Sequence, residues 1–163
     1  TPDAAFIDDL ELALFAGKIA AYAQGFAVMG EASAEFKWGL PMPTIARIWR
    51  AGCIIRSQFL GTLAQSFEAD AEADNLLLIK DFVGMMQEAQ PSLRRIVAHA
   101  ALGGMPVPAL SAALGYFDSI RQARGTANLI QAQRDFFGAH GFERTDREGG
   151  DFHGPWALNT QGE

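Results

Sequence analysis

Arg134 and His140 are the residues of this sequence whose types and spacing best suit chemistry. They lie in the stretch LIQAQRDFFGAHGFER, most of which has the pattern of an amphipathic helix. A guanidinium can give a phosphate two parallel hydrogen bonds, and an imidazolium can give it a third. The dipole at a helix C-terminus also favours a cationic histidine. Together the two side chains would suit a phosphate group.

Whether Arg134 and His140 can act together depends on where their helix ends. On a continuous helix, with about 100° and about 1.5 Å per residue, they would point roughly 120° apart and lie about 9 Å apart along the axis. Gly138 allows the helix to end between them, so that His140 turns back beside Arg134. A second interpretation stays open, in which Arg134 pairs with a nearby acid such as Asp135 or Glu31. His140 would then only cap the helix, and geometry alone favours this simpler arrangement.

The sequence contains no other recognisable chemical motif. The patterns GxGxxG, GxxxxGK[ST] and GxSxG do not occur, and the histidines at 99, 140 and 153 lack the spacing of metal ligands. The single cysteine, Cys53, excludes an internal disulfide and is interpreted as a buried thiol. We therefore predict no metal site and no catalytic residue within this sequence.

Composition and charge narrow the class of protein. The 163 residues are 49% hydrophobic, which is enough for a globular core. The net charge of -6 argues against nucleic-acid binding. We find neither a signal peptide nor an apolar run close to the roughly 20 residues of a membrane span, so we expect a cytoplasmic protein without a membrane partner. Basic residues occur in patches, which could hold an anion or pair with acidic helices.

The hydrophobic pattern is helical along most of the chain, with no sustained alternation typical of half-buried strands. We predict an all-α, multi-helix domain whose long central helix is capped by Thr1 and Pro2 and ends near Phe36. Small residues along this helix indicate close packing against its neighbours. Shorter helices should follow, with a start near Cys53, new starts at Pro91, Pro108 and Thr126, and ends at Gly52, Gly103 and Gly125.

The helical pattern stops after Gly141. We therefore predict two parts, an all-helical domain over residues 1–141 and an irregular C-terminal tail over residues 142–163. Phe152 and Trp156 are the aromatic residues expected to anchor this tail onto another surface.

Three further stretches, KIAAYAQGF, IARIWRAGCIIRSQFL and GMPVPALSAALGYFDS, precede LIQAQRDFFGAHGFER in the chain. In this order they closely resemble the C-terminal domain of the NADP-dependent, decarboxylating 6-phosphogluconate dehydrogenases. The resemblance covers nearly the whole chain and weakens only in the tail. It implies part of a homodimeric enzyme that converts 6-phosphogluconate to ribulose 5-phosphate and carbon dioxide, with reduction of NADP to NADPH.

The resemblance bears directly on the two candidate residues. In the family, the arginine and histidine of this motif reach into the partner subunit's active site and bind the substrate phosphate, and they match Arg134 and His140. Here Phe136 replaces a common tyrosine and Gly141 a common threonine, but neither change removes a phosphate donor. The resemblance thus implies dimerisation and phosphate binding in trans.

The resemblance also implies a missing catalytic half. The family's nucleotide-binding glycine loop, catalytic lysine and catalytic glutamate belong upstream of Thr1, so we expect the sequence to be a fragment that is inactive alone. A second hypothesis is a stand-alone, non-catalytic helical module for dimerisation or regulation. A third, a short-chain enzyme with its own site, has no acid–base pair to support it.

Overall fold

The computed structural model describes residues 3–52, 57, 59–70, 73 and 75–156. Within these ranges the chain forms six α-helices, one short 3-10 helix at Leu76–Leu78, and no strand beyond an isolated bridge between Phe142 and Phe152. The predicted all-α class is confirmed. The α-helices are α1 (Ala4–Glu35), α2 (Met42–Gly52), α3 (Phe59–Ala69), α4 (Lys80–Leu102), α5 (Pro108–Ile120) and α6 (Ala127–Gly138).

The chain divides into two compact units, Thr1–Asp118 and Ser119–Glu163. The first contains α1 to α4 and most of α5, and the second contains α6 and the segment that follows it. This division by compactness differs from the boundary between residues 141 and 142 that the sequence pattern indicated. The predicted division into a helical domain, residues 1–141, and a tail, residues 142–163, stays a prediction.

The first unit is organised around the pairing of α1 with α4. One stripe of α1 consists of small buried residues, which lets neighbouring helices approach closely. These are Ala13, Ala16, Gly17, Ala20 and Ala23. A Cβ atom at Gly17 would lie 2.8 Å from Cδ2 of Leu110, so α5 also packs directly onto this stripe. The predicted central position of the long helix is thereby confirmed.

Aromatic rings fill the wider part of the same core. Phe82 of α4 is fully buried, and its ring meets that of Phe59 edge-to-face at a centroid distance of 5.5 Å. Phe26 contacts Phe67 at 5.1 Å. Edge-to-face and tilted aromatic pairs add to the free energy of burial, so this cluster fixes α3 against α1 and α4.

Ion pairs connect the helices of the first unit at its surface. Arg95 of α4 donates to Asp9 of α1, with Nε 2.6 Å from Oδ2, and this contact and a hydrogen bond from Ser92 lower the pKa of Asp9 to about 2. Arg94 pairs with Asp118, and Arg47 pairs with Glu68. The ion-pair interpretation of the basic patches is confirmed for these three arginines.

The end of α1 agrees with the prediction, whereas the residue that caps its start differs from it. Asp3, rather than Thr1, caps its start, because Oδ1 of Asp3 accepts a 2.8 Å hydrogen bond from the backbone N–H of Phe6. Thr1 and Pro2 lie outside the described residues, as does the predicted helix start at Cys53. The predicted end near Phe36 is confirmed, since α1 ends at Glu35.

Pro91 does not start a new helix, as predicted, but lies inside α4. Proline removes one backbone hydrogen bond and disfavours a helix interior. Here the buried face of α4 continues from Ala89 to Leu93 and Ile96 on both sides of the proline. Burial of this continuous face outweighs the local penalty, so packing decides the course of the chain.

The end of α5 and the capping of α6 also differ from the predictions. α5 ends at Ile120 rather than Gly125, and the residues between Ile120 and α6 are all exposed, so extending the helix would bury nothing. Thr126 does precede α6, but its backbone is already helical and its side chain makes no capping hydrogen bond. The start of α6 is thus correct, whereas the predicted side-chain cap is wrong.

By length and composition alone, α1 could cross a membrane. This corrects the statement that no apolar run approaches the required length. The core helix of a soluble protein passes the same test, and the small-residue stripe of α1 is buried among other helices here. Of the apolar window in α1, 39% is buried inside the structure, so packing accounts for the small-residue stripe and not for the whole helix.

Candidate functional site

The candidate site is built on the C-terminal end of α6, within the second unit. α6 ends at Gly138 because Ala139 adopts a left-handed conformation, with φ of 50°, and its N–H donates to the carbonyl oxygen of Asp135 at 2.8 Å. The next residue, His140, folds back over the helix end. Its Nε2 lies 2.8 Å from the position that a Cβ at Gly138 would occupy. The predicted helix end between Arg134 and His140 is confirmed, and glycine leaves the space for the imidazole.

Arg134 lies one turn earlier on α6 with its side chain exposed. Its Nη1 donates to Oε1 of Gln131 at 3.3 Å. Asp135, one of the acids considered as its partner, accepts its side-chain hydrogen bonds from other groups instead. Arg134 and His140 are thus both exposed donors near the end of one helix, and phosphate binding by them stays a prediction.

Asp135 is the buried polar centre of the site. Its carboxylate is 1% exposed and accepts from the backbone N–H groups of Gly141 and Gly154, each at 2.9 Å. His153 contributes Nδ1 at 2.6 Å, and Trp156 donates Nε1–H at 3.0 Å. We call this set of residues, Asp135 with Gly141, His153, Gly154 and Trp156, the carboxylate clamp.

The clamp keeps Asp135 ionised in spite of its burial. The N–H of Gly154 makes the largest contribution to lowering the pKa, followed by His153, Gly141 and Trp156, and together they hold it at about 2 against the opposing effect of burial. Hydrogen bonds to the charged form of a carboxyl group stabilise that form. Asp135 is therefore a fixed negative charge at neutral pH and not a proton donor.

The contribution of Asp135 to stability should depend on pH only under acidic conditions. Its pKa falls from an ordinary 3.8 to about 2 on folding, so the stabilisation is complete above the unfolded value and is lost as the pH falls towards 2. We expect the difference in free energy of unfolding between the unmodified chain and Asp135→Asn to shrink as the pH falls below about 4. Urea unfolding at a series of pH values measures it, and a difference that grows as the pH falls from about 4 to about 2 would contradict the assignment.

The segment after α6 is attached to the helix by further contacts. Gln131 Nε2 donates to the carbonyl oxygen of Gly141 at 2.6 Å, and Phe142 and Phe152 form a short antiparallel bridge. The Trp156 ring meets that of Phe136 edge-to-face at 6.3 Å. The prediction that Trp156 anchors the tail is confirmed, and the surface that receives it is the end of α6.

Sequence reasoning missed the role of Asp135, which it considered only as a possible partner of Arg134. One available signal was its spacing from Gln131, since residues four apart lie on the same face of a helix. Both side chains of this face bind the segment after α6. A second signal was the N–H groups of the tail side chains His153 and Trp156, which need hydrogen-bond acceptors when these side chains pack against α6.

A cavity of about 400 Å³ borders His140, and Gln131, Phe142, Glu143 and Asp151 also line it. The two carboxylates make this cavity unsuitable for an anion. The larger cavity of about 760 Å³, between the end of α1 and the start of α2, has neither Arg134 nor His140 in its lining. The case for phosphate binding therefore rests on the exposed donors at the helix end and not on an enclosed pocket.

The fold and the site define an all-helical domain. At the end of α6 it exposes two side-chain donors, Arg134 and His140, and the segment that follows is bound to this helix end. Residues 1–156 match the family model described as 6-phosphogluconate dehydrogenase, C-terminal domain. The chain belongs to this family.

Similar proteins agree with this assignment. The chain is 50% identical over 152 residues to 6-phosphogluconate dehydrogenase, decarboxylating, of Synechococcus elongatus, covering 93% of the chain and 32% of that protein. It is 49% identical over 150 residues to the decarboxylating enzyme of Lactococcus lactis subsp. lactis, covering 92% and 32%. The chain thus spans about a third of the length of these relatives.

A solved structure shares the fold. It is the 6-phosphogluconate dehydrogenase of Plasmodium falciparum, described in its apo form, with its cofactor NADP+ and with its substrate 6-phosphogluconate. The TM-score is 0.89 at 41% identity, over 96% of this chain and 33% of that one. The likeness supports the all-α fold of the part of the chain that the structure describes.

Proposed function

We propose that this chain is the C-terminal part of an NADP-dependent, decarboxylating 6-phosphogluconate dehydrogenase. In that enzyme it supplies dimer contacts and presents Arg134 and His140 to the substrate phosphate in the partner subunit's active site. The longer enzyme would oxidise 6-phosphogluconate and release carbon dioxide, giving ribulose 5-phosphate in the cytoplasm. The chain alone would be inactive.

The observation that carries this proposal is the helix end at Gly138, which leaves both candidate donors exposed within a family-matched motif. Within the described part of the chain, the hydrogen bond of Arg134 is a long one to the neutral Gln131, so its guanidinium is available to a phosphate. His140 folds back over Gly138, which has no side chain to displace the imidazole. A dianionic phosphate would be held by charge-assisted hydrogen bonds from these two side chains.

The physical role of the pair is to position the substrate. A phosphate group lies away from the carbons that react, and binding energy gained there can orient the sugar acid for reaction. The part of the chain that the structure describes is helical and has no strand with a glycine-rich turn for a dinucleotide, so its residues do not fit a main NADP site. We therefore assign NADP binding chiefly to the remainder of the enzyme.

Contribution in trans can be tested with mixed dimers of the full-length enzyme. One chain carries Arg134→Ala with His140→Ala, and the other lacks the family's catalytic lysine in the upstream domain. At a 6-phosphogluconate concentration near the normal KM, each homodimer should show almost no activity, the first through weak substrate binding and the second through loss of the catalytic lysine. The heterodimer should regain about half of the normal activity, because one of its two symmetry-related sites combines an intact catalytic half with an intact Arg134–His140 pair.

A second heterodimer, with both lesions in the same chain, should have no activity if the pair acts in trans. When both lesions lie in one chain and the partner chain is unmodified, trans contribution leaves no complete site, whereas contribution within one chain leaves one. Activity only in this second heterodimer would show that the pair acts within its own subunit and would refute the proposal. A native gene product that is not a longer dehydrogenase would instead favour a stand-alone dimerisation or regulatory module.

A further inference from the structure

His140 lies between two residues, Ala139 and Gly141, whose backbones are hydrogen-bonded to α6. On one side, the N–H of Ala139 donates to the backbone carbonyl of Asp135 at 2.8 Å. On the other side, the N–H of Gly141 donates to the Asp135 carboxylate at 2.9 Å, and the Gly141 carbonyl accepts from Gln131 at 2.6 Å. Both neighbours of His140 are thus bound to α6, so the backbone that carries the imidazole is fixed to the helix.

The carboxylate that holds Gly141 is itself held by the tail. Oδ2 of Asp135 accepts from Gly154 N–H and Trp156 Nε1–H, while Oδ1 accepts from Gly141 and lies 2.6 Å from His153 Nδ1. A methyl group at Gly154 would overlap the indole ring, so glycine is required where the tail passes Trp156. The tail therefore contacts both oxygens of the carboxylate that holds the His140 turn.

We infer that Asp135 is a positioning residue for the substrate-phosphate site, and that the segment Phe142–Trp156 takes part in that site by locking the carboxylate that orients His140. The inference rests on the proposed function of His140 and adds a group that does not itself touch the substrate. A preorganised donor loses less freedom on binding than a mobile one. The clamp would therefore act on phosphate affinity through the placement of the imidazole.

A positioning role makes a specific prediction for a double-mutant cycle in the full-length enzyme. Asp135→Asn retains the size of the side chain but presents an NH2 group to part of the donor set. It should raise KM for 6-phosphogluconate about 10-fold in the otherwise unmodified enzyme and less than about 2-fold in a His140→Ala background. The kcat and the KM for NADP should change by less than about 2-fold in both backgrounds.

The control is Asp146→Asn, an identical substitution in the same unit at an exposed carboxylate that pairs with the nearby Arg144. It should alter KM for 6-phosphogluconate by less than about 2-fold with or without His140. If Asp135→Asn fails to fold, Trp156→Phe replaces it, since that variant removes one donor and keeps the carboxylate. It should raise the same KM about 3-fold, again only when His140 is present.

The outcomes separate this inference from the proposed function. If His140→Ala by itself leaves KM for 6-phosphogluconate unchanged, the proposed phosphate role of His140 fails, and the inference fails with it. If His140→Ala raises KM and Asp135→Asn raises it by the same factor in both backgrounds, only the positioning role is overturned. Loss of the Asp135 effect in the His140→Ala background supports the inference.

Discussion

Replacement of Arg134 with alanine in the full-length dehydrogenase is expected to raise KM for 6-phosphogluconate by about 100-fold. Two charge-assisted hydrogen bonds to a phosphate contribute about 3 kcal/mol, and about 1.4 kcal/mol corresponds to a factor of ten. The KM for NADP should change much less, because the guanidinium is assigned to the sugar phosphate and not to the cofactor. Steady-state kinetics with each ligand varied in turn provides the measurement.

Two companion variants sharpen the experiment on Arg134. Arg134→Lys keeps the charge but loses the planar fork, so it should recover only part of the lost affinity. Arg147→Ala removes an exposed arginine from the segment after α6 and serves as the matched control, with an expected change below about 2-fold. Equal losses of affinity for 6-phosphogluconate and NADP in Arg134→Ala would contradict a role specific to the phosphate.

Replacement of Phe82 with alanine is expected to lower the free energy of unfolding by about 3–5 kcal/mol. The ring is fully buried in α4 and meets Phe59 edge-to-face at 5.5 Å, so the change removes apolar burial, leaves a cavity and breaks an aromatic pair. Equilibrium urea unfolding of the 163-residue chain, followed by far-ultraviolet circular dichroism, would measure the loss.

The matched control for Phe82 is Phe36→Ala at the end of α1. Phe36 is 58% exposed and stacks only on Trp38 among the ring contacts described, so the same substitution should cost less than about 1 kcal/mol. Similar losses at the two positions would show that the aromatic core of the first unit contributes less than its burial indicates.

The course of α1 was predictable from sequence because local signals and tertiary packing agree there. Its apolar periodicity, its small residues and the nearby Gly39 and Pro41 all favour one long helix that ends near Phe36. Pro91 shows the opposite case. The local preference of proline predicts a helix start, but packing on both sides keeps α4 continuous, and that packing is not visible in a short sequence window.

The candidate site was predictable in part for a similar reason. The end of α6 between Arg134 and His140 was predicted from Gly138, although the residue that turns left-handed is Ala139 and Gly138 instead leaves space for the imidazole. The clamp on Asp135 was not predicted, because two of its donors, Gly154 and Trp156, come from positions 19 and 21 residues further along the chain. No periodic pattern relates residues so far apart when the intervening segment is irregular.

The carboxylate clamp also defines how much of the C-terminus the domain can lose. Trp156 is the last of the described donors to Asp135, so exoproteolysis of residues 157–163 would remove none of them. A cut before His153 would remove three of the described donors to Asp135 together with the segment that covers its carboxylate. The second unit should then lose stability, because those hydrogen bonds are lost and nothing in the shortened chain replaces them.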